Sequence, residues 1–151
     1  MISESGNIKD SVQLPSMNIE LDKQGILYVT YVEGSIIDIE EKKEERETIL
    51  KITKGIKHPV LFSFENMVTI TRAAKEYSVT PESEELFLAV ALMAESFAQV
   101  VASNFYIKFY NPKIVSKVFK NDIKAVEWLL EVKNNKEENK SDSSKSTFSS
   151  L

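Results

Sequence analysis

Few residues in this sequence have the type and spacing for chemistry. Glu95 stands between Ala94 and Ser96 in an otherwise apolar stretch. A carboxyl held among apolar neighbours is raised in pKa and can act as a general acid or base. The plainer reading puts Glu95 on the wet edge of a helix. His58 is the single histidine, and a lone histidine just before an apolar strand is more often a loop residue than a ligand. The acidic pairs Glu40-Glu41 and Glu84-Glu85 lie on expected helix faces or caps, where solvation is the ordinary outcome. Tyr106 and Tyr110 flank Lys108 and could stack on bases, but they read more simply as the outward row of an edge strand.

Other chemistries are excluded by what the chain lacks. It has no cysteine, so disulfides, thiolate zinc sites, iron–sulfur ligation and cysteine nucleophiles are out. One histidine rules out a multi-histidine metal centre. The four glycines, Gly6, Gly25, Gly34 and Gly55, are isolated, so no phosphate-cradling loop can form from them. No serine sits in a nucleophile-elbow context. A net charge of -4 argues against a nucleic-acid surface. No signal peptide opens the sequence, and no apolar run reaches the roughly 20 residues needed to cross a bilayer. A soluble cytoplasmic protein without a cofactor is expected.

The 151 residues fit one domain, and 42% hydrophobic residues can build its core. Residues 1–15 read as a flexible leader. Met17, Ile19 and Leu21 alternate with polar residues, turn chemistry follows at Asp22 to Gly25, and Ile26 to Val32 is β-branched and aromatic; together they predict a hairpin. Asp38 with Glu41 forms a capping box for a helix that stops at Gly55. The charged first half of that helix reads as a solvated face. His58-Pro59 leads a short buried strand, VLFSF. Thr69 or Thr71 can cap a short helix through Tyr77.

Thr80, with Pro81 in the first turn, opens what reads as the central element: a buried helix from Glu82 to Asn104. Leu86, Val90, Met93, Phe97 and Val100 recur there at three- and four-residue steps, with Phe87, Ala91, Ala94, Ala98 and Val101 widening the stripe. A strand at Phe105 to Tyr110, a short helix over PKIVSKVF and a last helix capped by Asp122 complete the order. Residues 134–151 are polar and read as a disordered tail.

The segments NFYIKFYNPKIVSKVFKNDIKAVEWL (residues 104–129) and HPVLFSFENMVTITRAAKEY (residues 58–77) resemble the closing and middle patterns of the SpoIIAA-like or STAS/SEC14-like domains, most closely a bacterial branch of them. The resemblance covers residues 16–133. It implies an α/β fold on the α+β borderline, a mixed sheet of about four strands with helices packed on it. It also implies a non-enzymatic binding or regulatory module acting on a protein partner. In STAS domains a serine at a helix start is phosphorylated; here the matching place holds Thr69, Thr71 and Arg72, with no Asp-Ser pair, and Arg72 could hold an anion beside the two hydroxyls. SEC14-like relatives imply the alternative of a small apolar ligand or lipid carrier, with Phe62, Phe64, Phe97, Phe105 and Phe109 as candidate pocket walls. The apolar excess of the central segment makes a homodimer a further expectation.

Overall fold

The computed structural model of the chain describes residues 7–149. Eight strands and five helices follow one another along the described residues: β1 (Ile8–Gln13), β2 (Met17–Asp22), β3 (Leu27–Tyr31), β4 (Ile36–Ile37), α1 (Ile39–Thr53), β5 (His58–Phe64), β6 (Thr69–Ile70), α2 (Arg72–Ser78), α3 (Pro81–Glu84), β7 (Phe87–Met93), α4 (Phe97–Tyr110), β8 (Ser116–Phe119) and α5 (Asp122–Ser149). Six strands form the main sheet in the order β1-β2-β3-β5-β7-β8, and β4 pairs with β6 in a small second sheet. β1, β2 and β3 run antiparallel, while β3, β5, β7 and β8 run parallel to one another. The fold is thus mixed α/β with six strands in its main sheet, where about four were expected.

Period-two alternation sorts the strand residues onto two faces, except that a register shift where β5 meets the start of β7 brings Phe87 to the side of Val90 and Leu92. Leu27, Val29, Tyr31, Val60, Phe62 and Phe87 join Ile49 of α1 and Ala74 of α2 in one core. Ile26, Tyr28, Leu61, Ala89, Ala91 and Met93 meet Ala125 and Leu129 of α5 in the other. The hairpin of β2 and β3, the Asp38 capping box of α1 and its left-handed stop at Lys54-Gly55 all form as the sequence predicts. Thr71 caps α2. Asn121, rather than Asp122, caps α5: its side-chain oxygen accepts the Lys124 N–H at 3.1 Å.

The expected central helix is not one element. Thr80 and Pro81 do open a helix, but it is only the four-residue α3. Phe87–Met93 is the inner strand β7, paired on both sides by parallel neighbours. A parallel strand buried on both faces has no polar alternation, so its apolar run also fits a helical template. Helix resumes at α4, where Ser96 and Gln99 form a capping box. Phe105 to Tyr110, expected as a strand, is the second half of α4; the Phe105–Phe109 and Tyr106–Tyr110 ring pairs stack one turn apart at 5.3 and 5.4 Å. The segment expected as a short helix carries the edge strand β8.

The expected flexible leader includes β1, which pairs with β2. Residues 1–6 of it lie outside the described residues. The expected disordered tail begins within α5, which runs on to Ser149 because no glycine or proline interrupts it. Residues 150 and 151 lie outside the described residues.

His58 opens β5 with its Nδ1 2.9 Å from the Gly25 carbonyl oxygen, an N–H···O bond in the tautomer protonated there. Burial lowers its pKa below the usual 6.5, the Gly25 carbonyl raises it, and Lys133 and Lys9 lower it further. The unfolded chain therefore binds the proton more readily, and this contribution to stability is present above the unfolded pKa and lost as pH falls through the folded one. Denaturant midpoints between about pH 7.5 and about pH 5.5 should fall further for the wild-type chain than for His58→Gln, which does not titrate there. In the other core, Leu129 is fully buried where α5 meets the sheet. Leu129→Ala should cost about 2–5 kcal/mol of unfolding free energy, read by urea titration.

Candidate functional site

On the α1 side of the sheet the layer is incomplete. α5 alone covers the inner strands on the opposite face, with Ala89, Ala91, Ala125 and Leu129 close-packed. Here α1 and α2 are docked against the core, but none of the residues of α4 is buried. Between α4 and the sheet lies a half-enclosed cavity of about 320 Å³. Its apolar walls include Phe62 and Phe64 of β5, Phe87, Val90 and Leu92 of β7, and Ile114 before β8. Gln99, Ala102, Ser103 and Tyr106 form the inner side of α4. An apolar cavity of about 150 Å³ holds a benzene ring, so this one can take a molecule of one or two rings.

Part of the cavity wall is a buried polar ring, built from Lys42 and Glu45 of α1 and Tyr31 of β3. Lys42 and Glu45 are 5% and 2% exposed. The Lys42 ammonium donates to Glu45 Oε2 at 2.8 Å and to the Tyr31 hydroxyl at 3.1 Å. The Tyr31 hydroxyl in turn donates to Glu45 Oε1, closing the ring. Burial, and then the charge of Glu45, push the Tyr31 phenol well above its usual pKa. The Lys42 ammonium also lies over the Phe62 ring, 5.0 Å from its centre. Across the cavity, burial pushes Tyr106 up to about 12 despite a hydrogen bond with Ser78 that works the other way.

The rim is fastened by Glu84 at the end of α3. Its carboxylate accepts the backbone N–H of Lys113 at 3.2 Å and of Ile114 at 2.6 Å, which anchors the loop between α4 and β8. Every buried side-chain nitrogen and oxygen among the described residues has a hydrogen-bond partner. No group of three or more His, Cys, Asp or Glu side chains among them is placed to hold a metal ion.

The residues singled out in the sequence are not brought together. Phe62 and Phe64 line the cavity. Phe97 and Phe105 belong to the helix that covers it but point away, 80% and 60% exposed, in a row with Val101 and Phe109. Glu95 is exposed in the turn between β7 and α4, where its backbone N–H donates to Gln99 Oε1 at 2.7 Å. Thr69 is exposed in β6. The Thr71 hydroxyl accepts the Ala74 N–H as a cap and donates to Asp38 at 2.8 Å. Arg72 pairs with Glu76 one turn along α2 at 3.0 Å.

Lys42 and Glu45 were missed because they sit in a charged run that reads as solvated. A signal was present: positions 42, 45, 49 and 53 fall on one helix face, and Ile49 and Thr53 are buried with them. Removing one partner of a buried pair leaves an uncompensated charge. Glu45→Gln or Lys42→Met alone should destabilise the fold by about 3–5 kcal/mol, and Lys42→Met/Glu45→Gln together by far less, in urea-unfolding double-mutant cycles.

A search among curated proteins gives no match to the sequence. Among solved structures, an uncharacterised protein of the DUF3478 family from Shewanella loihica PV-4, described as having a SpoIIAA-like fold, superimposes with a TM-score of 0.53 at 18% identity, over 80% of this chain and 99% of that one. A protein of unknown function from Arthrobacter sp. FB24 matches more loosely, with a TM-score of 0.30 at 19% identity, over 78% of this chain and 95% of that one. At that identity the Shewanella protein speaks for the fold alone, which is SpoIIAA-like here as well. Residues 19–133 match the family model described as "Domain of unknown function (DUF7793)", and the chain is a member of that family.

Proposed function

We propose that this protein is a non-enzymatic binding module that holds a small, mainly apolar molecule between its sheet and α4. The observation that carries this reading is the half-enclosed cavity of about 320 Å³ with its apolar walls. Its volume falls in the range of small-molecule sites, and Lys42, Tyr31 and Tyr106 are among the polar groups set in its wall. The helix over it has no fully buried residue and packs on the core only through the half-buried Tyr106 and Ile107, so α4 is the element that can yield to admit a ligand. Of the family resemblances, this favours the SEC14-like, ligand-carrying role.

N-phenyl-1-naphthylamine, a neutral dye that fluoresces in apolar surroundings, is a suitable probe. It should bind saturably with a stoichiometry of one. Ser103→Trp, which places bulk on the inner side of α4, should abolish that binding while leaving the circular-dichroism spectrum unchanged. Absence of saturable binding, or binding indifferent to Ser103→Trp, would refute the reading.

A second reading, closer to the STAS-like role of binding a protein, is favoured by the outer face of α4. Phe97, Val101, Phe105 and Phe109 recur every four residues there and are all exposed. A second copy of the chain is the first occupant to test. Light scattering should then report twice the 17.2 kDa chain mass, and Phe105→Ser/Phe109→Ser should return it to one chain. A single-chain mass at about millimolar protein contradicts this reading.

A further inference from the structure

The polar ring in the cavity wall constrains what the cavity can hold. We infer that its ligand, given that the cavity is a ligand site, is a neutral and mainly apolar molecule carrying one hydrogen-bond-accepting oxygen, such as a ketone, aldehyde or ester carbonyl, and that Lys42 donates to that oxygen.

An ammonium has three N–H donors. Lys42 directs one to Glu45 and one to the Tyr31 hydroxyl. Among the described residues the third is left with aromatic rings, Phe62 at 5.0 Å and Tyr31 at 5.8 Å from the ammonium nitrogen. A ring face is a weaker hydrogen-bond acceptor than a carbonyl oxygen. Lys42, Tyr31 and Phe62 all contribute to the cavity wall, so an oxygen inside the cavity can reach the unsatisfied donor.

The charges around the cavity select against an ionised ligand. Lys42 and Glu45 neutralise each other while almost fully buried. The other ionisable wall groups are Lys75, Glu65 and Glu84, and with the pair they sum to a net negative charge. Glu84 is already engaged by the backbone of Lys113 and Ile114. A ligand carboxylate would therefore add a negative charge to a wall whose charges already sum to a negative value, beside a Lys42 ammonium that Glu45 neutralises. A ligand cation entering to the same depth would meet the Lys42 ammonium. A neutral oxygen takes the third donor and leaves the charge balance unchanged.

Displacement of N-phenyl-1-naphthylamine by three matched molecules tests this on the full chain. Naphthalene has no acceptor oxygen, 2-acetylnaphthalene has a neutral one, and 2-naphthoate has an ionised pair. The ketone should bind about tenfold tighter than naphthalene, and the carboxylate no tighter than naphthalene. In Lys42→Met/Glu45→Gln, which keeps an acceptor for the Tyr31 hydroxyl, the ketone's advantage over naphthalene should vanish. Equal binding of ketone and naphthalene by the wild-type chain, or tightest binding of the carboxylate, overturns the inference and leaves the ligand site standing. The wild-type comparison decides this even if the variant fails to fold. If neither the dye nor any of the three binds, the site itself is refuted and the inference falls with it.

Discussion

Two parallel inner strands, β5 and β7, set the constraint on which this molecule depends. They are apolar on both faces, so the sheet must be covered twice. α5 meets that demand on one side with small and branched residues packed to the sheet. On the other side α1 and α2 reach only part of the sheet, and α4 bridges the remainder with only Tyr106 and Ile107 packed, half-buried, against the core. The cavity is the volume left by that incomplete layer. It is a consequence of element placement rather than of any special residue in the strands.

The polar ring on α1 sits where the two conditions meet. Lys42 and Glu45 are buried because the helix face that carries Ile49 must lie on the sheet. Tyr31, from the end of β3, closes the ring so that each buried polar atom has a partner. A buried ion pair contributes little net stability beside an apolar pair of similar volume. On the proposed reading, its place in the cavity wall is where it would meet a guest.

Much of the architecture was legible wherever local chemistry and tertiary demand agree. Asp38 with Glu41, Gly55, Thr71, Thr80-Pro81 and the Met17–Tyr31 hairpin announce themselves through caps and turns. The reading failed at Leu86–Tyr110. A doubly buried parallel strand followed directly by a helix produces one long apolar stretch, in which the helical spacing of the second half runs on through the first. Ser96 and Gln99 marked the true helix start, and the aromatic pairs four apart marked its continuation. The site was less legible than the fold. Phe62 and Phe64 were named and do line the cavity, whereas Phe97 and Phe105 lie on the outer face of its lid. Lys42 and Glu45 looked like ordinary surface charges, because sequence alone does not say which face of a charged helix turns inward.

The central claim is that the space between α4 and the sheet is persistent, apolar and accessible. Diffraction from crystals of the chain held under xenon gas tests this most directly, because xenon fills apolar cavities without needing any polar contact. The account predicts a xenon peak among Phe62, Leu92 and Tyr106. Crystals that take up no xenon there, with side chains packed across the space instead, would contradict it.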